Sequence, residues 1–148
     1  MISLEVISVA GLVSGILDIA ATSTLVRTQG ISVEQLLQGI ASGALGRSAF
    51  KGGRKTVAAG LFFHFFIAFT AATIYYACSR KMTILLDHPL LGGILYGVIV
   101  HLVMSRIIVP LSAAPKREFS TKAFLTQLIV HILCVGLPIA LIVGHLSR

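Results

Sequence analysis

Charge is scarce in this chain. Of its 148 residues only 11% are Asp, Glu, Lys or Arg, less than half the roughly 25% usual in soluble domains. With 56% hydrophobic residues and a mean hydropathy of +0.96, this argues against an ordinary water-soluble fold. Cysteine is almost absent. Cys78 ends one apolar run and Cys134 lies in the middle of another, so no disulfide is expected and each reads as a small hydrophobe. Enzyme signatures are missing too. There is no Gly-rich phosphate loop before a Lys-Ser/Thr pair, no nucleophile elbow and no pair of carboxylates. The helical metal spacings H-E-x-x-H, H-x-x-E-H and Glu-x-x-His do not occur either. Catalysis is therefore not the expected activity.

What the chain does have is four long apolar runs, about Leu4–Val26, Thr56–Cys78, Leu90–Leu111 and Ala123–Leu146. A helix needs about 20 apolar residues to cross a hydrocarbon core of about 30 Å. In lipid the backbone must satisfy its own polar groups, so such runs are expected to be helices. The expected fold is all-α: a polytopic four-transmembrane-helix antiparallel bundle, one domain over residues 1–148. The first run lacks a basic n-region and exceeds a signal-peptide core of about 7–15 residues, so it is expected to be retained.

The formal net charge of +7 does not point to nucleic acid, because the cations sit in two patches. Arg27, Arg47, Lys51, Arg54, Lys55, Lys116, Arg117 and Lys122 fall between runs one and two or three and four, whereas Arg80, Lys81 and Arg148 fall on the other side. The positive-inside rule then predicts both basic loops in the cytoplasm and both termini outside, in a bacterial inner membrane. Lys51, Arg54 and Lys55 are expected at lipid headgroups. The expected partners are the bilayer and, beyond it, other membrane subunits or a second copy, with no nucleic acid.

Between the first two runs, Ser32 with Gln35 makes a capping-box pattern. Val33, Leu36, Leu37, Ile40, Ala44 and Leu45 fall near one helical face, with Gln35, Gln38 and Ser42 largely elsewhere. That pattern predicts a short amphipathic helix, interfacial or re-entrant, over about residues 31–45. Gly11/Gly15 and Gly93/Gly97 are small-xxx-small pairs, expected to let helices pack closely within the bundle. Pro138 is expected to kink the fourth run. Tyr75 and Tyr76 are expected near the outer interface, while Phe62, Phe63, Phe66 and Phe69 are free to face lipid. His88 and His145 read as solvated ends, and Arg106 as snorkelling to the interface or, second, reaching toward Asp18 in the bundle.

Each run carries an ionisable side chain at membrane depth: Asp18, His64, His101 and His131. With a rise of 1.5 Å per residue, Asp18, His64 and His131 share one level and His101 lies about a turn away. Small or polar neighbours continue the same faces: Ser14 and Thr22 around Asp18, Gly60 and Ala68 around His64, Gln127 and Cys134 around His131. Asp18, His64, His101, His131 and Gln127 are therefore the candidate polar cluster. Three roles stay open: interhelical hydrogen bonding, a proton or small-solute path, and haem, zinc or iron ligation. The expected function is an accessory membrane subunit or a small-solute or proton-conducting element. The alternative is a haem- or metal-binding redox subunit, with no cofactor as the first expectation. The two halves also share a loose pattern of small-residue pair, ionisable group, basic loop and His-bearing helix, as a duplication would leave.

The segments LQGIASGALGRSAFKGG, HFFIAF, YGVIVHLVMSRIIVPLSAAP and HILCVGLPIAL, spread between Asp18 and Leu141, resemble a group of small four-span bacterial inner-membrane proteins. The resemblance implies the same topology. It also implies that Asp18, His64, the Gln38–Gly53 loop, Pro110 and His131 belong to the shared pattern. His101 stands where similar sequences are expected to carry Tyr. No activity comes with the resemblance.

Overall fold

The computed structural model describes residues 3–116 and 118–147, so Arg117 and Arg148 of the basic-residue pattern lie outside the described residues. Among the described residues there is no strand. Four helices are long and apolar enough to cross a membrane: α1 (Ser3–Thr28), α3 (Gly53–Ser79), α5 (Pro89–Leu111) and α6 (Thr121–Leu146). Two short ones join them, α2 (Val33–Leu45) and α4 (Ile84–Asp87). Helix α1 packs on α3 and α6, and α5 on α6. Helices α3 and α5 meet through tyrosines: Tyr96 donates to the Ala71 carbonyl at 2.7 Å, and its ring meets Tyr75 edge-on at 5.0 Å between centroids.

Tyr75 is thus no interfacial anchor. It is 1% exposed, and its hydroxyl donates to the Leu85 carbonyl at 3.3 Å, which is what makes its burial affordable. Tyr76 does reach an exposed partner, Ser3 Oγ, at 3.0 Å. Phe62 and Phe66 are exposed, but Phe69 turns inward onto Gly11.

The proline effect takes a particular form. Val109 and Leu137, the residues before Pro110 and Pro138, donate five residues back, to Met104 and Ile132. Proline supplies no N–H and crowds the carbonyl four residues back, so the helix widens by one residue into a π-turn. These turns occupy Met104–Ile108 and His131–Gly136.

Helix α2 is capped as its sequence predicts: Ser32 Oγ accepts from Gln35 N at 3.1 Å, and Gln35 Oε1 accepts from Ser32 N at 3.0 Å. Its buried residues share only Leu37 with the apolar set. Leu37, Ala41 and Ser42 are buried, while Ala44 and Leu45 are exposed. Small residues win because α2 meets the backbone of α3, where a Cβ on Gly60 would run into the Leu37 carbonyl. Ser42 tolerates burial by donating to the Gly39 carbonyl at 2.6 Å. At the other end of α2, the Gly43 carbonyl accepts from Ala113 N at 2.9 Å. That bond ties the two basic segments to each other. Lys51, Arg54 and Lys55 are exposed around the start of α3.

Candidate functional site

Asp18, His64, His101, Gln127 and His131 all line one cavity of about 740 Å³. Its wall runs from Ala71 and Val135 in the helix interiors to Gln29, Ser120 and Lys122, which are exposed at the basic-segment end. Gly15 and Gly97 let the helices around it pack closely. At Gly15 a Cβ would strike the Phe65 ring, and at Gly97 the backbone of α6 comes in at His131 and Ile132.

The partners fix where the ring hydrogens sit. His64 Nε2 lies 2.8 Å from the Gly15 carbonyl, which only accepts, so Nε2 donates. The other nitrogen, Nδ1, is 3.9 Å from Asp18 Oδ2. A bare Nδ1 and a carboxylate oxygen are both acceptors. The contact is therefore attractive only when a proton sits between them, on the imidazole as an ion pair or on the carboxyl as a neutral acid. Asp18 is also within electrostatic reach of His131.

On the other side of the cavity, His131 Nδ1 donates to the Gln127 carbonyl at 2.8 Å. His101 Nδ1 approaches that same nitrogen at 3.3 Å. Two N–H groups would repel at that separation, so His101 Nδ1 is the acceptor and its hydrogen lies on Nε2. Gln127 reaches across to α1, where Nε2 donates to Thr22 Oγ1 at 3.5 Å.

Three polar atoms at this cavity are buried without a hydrogen-bond partner: Asp18 Oδ1, His101 Nε2 and Ser105 Oγ. Buried polar groups are normally satisfied, and an orphan costs about 1–3 kcal/mol. Sequence reasoning missed Ser105. It also missed the Gly15 and Gln127 carbonyls, because backbone acceptors leave no trace in side-chain type. Phe124 was missed as well; its ring meets His101 edge-on at 4.5 Å. Arg106 does not reach toward Asp18. Its guanidinium lies over Phe124 and Phe119, at 5.2 and 5.3 Å from the ring centroids. His88 and His145 are exposed and stand apart from the cavity. Both cysteines are free thiols.

Among the described residues, no group of three or more His, Cys, Asp or Glu side chains is arranged to hold a metal ion. A zinc or iron site needs ligand atoms converging within about 2.0–2.2 Å of one point. No family model, curated protein or solved structure matches the chain, so the functional reading rests on the geometry.

Proposed function

We propose that this chain is an integral protein of a bacterial inner membrane, an antiparallel four-helix bundle with N-out/C-out topology. It admits protons or a small polar solute from the cytoplasmic side to a site at Asp18 and His64. The four apolar helices support the membrane assignment. The clustering of cations in the sequence around Arg27–Lys55 and Lys116–Lys122 supports the orientation. Helix α2 and the Lys51, Arg54 and Lys55 side chains then lie toward the anionic headgroups of the cytoplasmic leaflet. The resemblance to small four-span inner-membrane proteins points the same way.

One observation carries the functional part: a cavity joins exposed residues at the basic end to Asp18 and His64, whose Oδ2 and Nδ1 lie 3.9 Å apart. Ionisable residues inside a membrane mark substrate or proton pathways, and imidazole changes charge near neutral pH. The test is proton flux into liposomes carrying the purified protein under an imposed pH gradient. Asp18→Asn is expected to lower the protein-dependent flux at least tenfold. Equal flux in wild type and variant would end the proposal.

A further inference from the structure

We infer that the pocket at Asp18 binds a protonated amine bearing an apolar body, in exchange for the proton held between Asp18 and His64. The inference rests on the reading of the cavity as a solute path and names its ligand class.

The sign of the ligand follows from the acceptors at Asp18; the unpartnered donors of this cavity, His101 Nε2 and Ser105 Oγ, belong to α5. Asp18 Oδ1 is buried and has no partner. Oδ2 lies 3.9 Å from His64 Nδ1, and the ring hydrogen of His64 is already committed to the Gly15 carbonyl. What this corner lacks is a donor, and a carboxylate without donors in an apolar setting takes up either a proton or a cationic N–H group. The groups around Asp18 that can carry a positive charge are imidazoles. His64 comes from α3, His101 from α5, and His131 and Cys134 from α6, while α2 contributes Leu36 and Ile40. The guanidinium of Arg106 is turned onto phenylalanine rings. Lys122 stands at the exposed rim, where its charge is solvated and screened.

The body of the ligand follows from the walls. Ile19, Ile67, Val100 and Val135 line the same space. At about 740 Å³ the cavity has the size of a small-molecule site, mostly apolar with a few placed polar groups. Water alone would satisfy Oδ1 but gain nothing from those walls. An ammonium on a hydrocarbon satisfies both. The exchange balances: the neutral, singly protonated Asp18–His64 pair plus an ammonium ion gives an Asp18 carboxylate paired with that ammonium, a neutral His64 and one released proton.

The experiment is isothermal titration calorimetry on the purified full-length protein in detergent, with 2-phenylethylamine, the neutral isostere 2-phenylethanol and the anion 3-phenylpropanoate. Titrations in two buffers of different ionisation enthalpy count the protons released. We expect the amine to bind at least tenfold more tightly than the alcohol, with one proton released per amine. Asp18→Asn should erase the preference and Asp18→Glu should keep it. The comparison of isosteres uses only wild-type protein, so a variant that fails to fold does not decide the matter. Equal affinity for amine and alcohol, tighter binding of the carboxylate, or amine uptake without proton release would overturn the inference. If the amine preference stands while liposome flux is absent, the conduction reading falls and the binding site remains. If flux stands and the preference is missing, only the amine assignment falls.

Discussion

The α1/α3 pair and the α5/α6 pair are built from the same parts and use them differently. Each has a Gly-xxx-Gly stretch and contributes two ionisable side chains to the cavity. In α5/α6 the glycines meet backbone. A Cβ on Gly136 would run into the Gly93 carbonyl oxygen, and one on Gly97 would fall 2.6 Å from Ile132 Cα. The two helices close on each other, and their imidazoles are pressed into contact at 3.3 Å. In α1/α3 the glycines meet rings instead. A Cβ on Gly11 would strike Phe69 and one on Gly15 would strike Phe65. An aromatic ring fills the slot between these helices, and Asp18 and His64 stay 3.9 Å apart. A small-residue pair grants permission to approach, and the residues opposite decide whether backbone or side chain takes the space.

The sharpest way to break this contrast is to add a methyl group on each side. Gly136→Ala is expected to cost about 3 kcal/mol or to prevent assembly, because its Cβ meets backbone that cannot rotate away. A denaturant unfolding series in mixed micelles reads this, and a loss below about 1 kcal/mol would show that the α5/α6 seam is loose. Gly15→Ala is expected to cost less, about 1–2 kcal/mol, since its Cβ meets a ring that can move. The double variant Gly15→Ala with Phe65→Leu should recover most of that loss. Failure of the rescue would mean that the ring is not what spaces α1 from α3.

The contrast also separates the two polar pairs. His64→Ala is expected to lower liposome proton flux about as much as Asp18→Asn does. His101→Gln should change flux less than twofold and cost under about 1 kcal/mol of stability, the scale of interhelical hydrogen bonds in membranes. Comparable flux losses in both variants would move His101 into the path. The smallest effect is spectroscopic. Nitrogen-15 NMR of labelled histidines should find His131 with its hydrogen on Nδ1, and His64 and His101 with theirs on Nε2. A His64 carrying its hydrogen only on Nδ1 would contradict the bond to Gly15.

Much of this was readable in the order of residues. The capping box at Ser32 and Gln35 depends on contacts three residues apart, so local sequence contains all of it. The helical runs follow from length and hydropathy, because a backbone without solvent partners must bond to itself. Pro110 and Pro138 announce a disturbed helix through the missing N–H. Their conversion into π-turns depends on how the freed carbonyls are re-paired, which no local pattern states. Tyr75 carried the signature of an interfacial residue at a helix end. It is buried because Tyr96 and the Leu85 carbonyl, brought by other helices, give its ring and hydroxyl partners.

Sequence alone determined where the long apolar helices run and that each carries an ionisable group, since hydrophobic periodicity and backbone hydrogen bonding act over a few residues. Tertiary structure decided which glycine meets a ring and which meets a backbone. It set the ring nitrogen that donates in each histidine and left Asp18 Oδ1 without a partner. Those outcomes depend on atoms from helices far apart in the chain, and only their packing brings the acceptors, rings and empty space into one place.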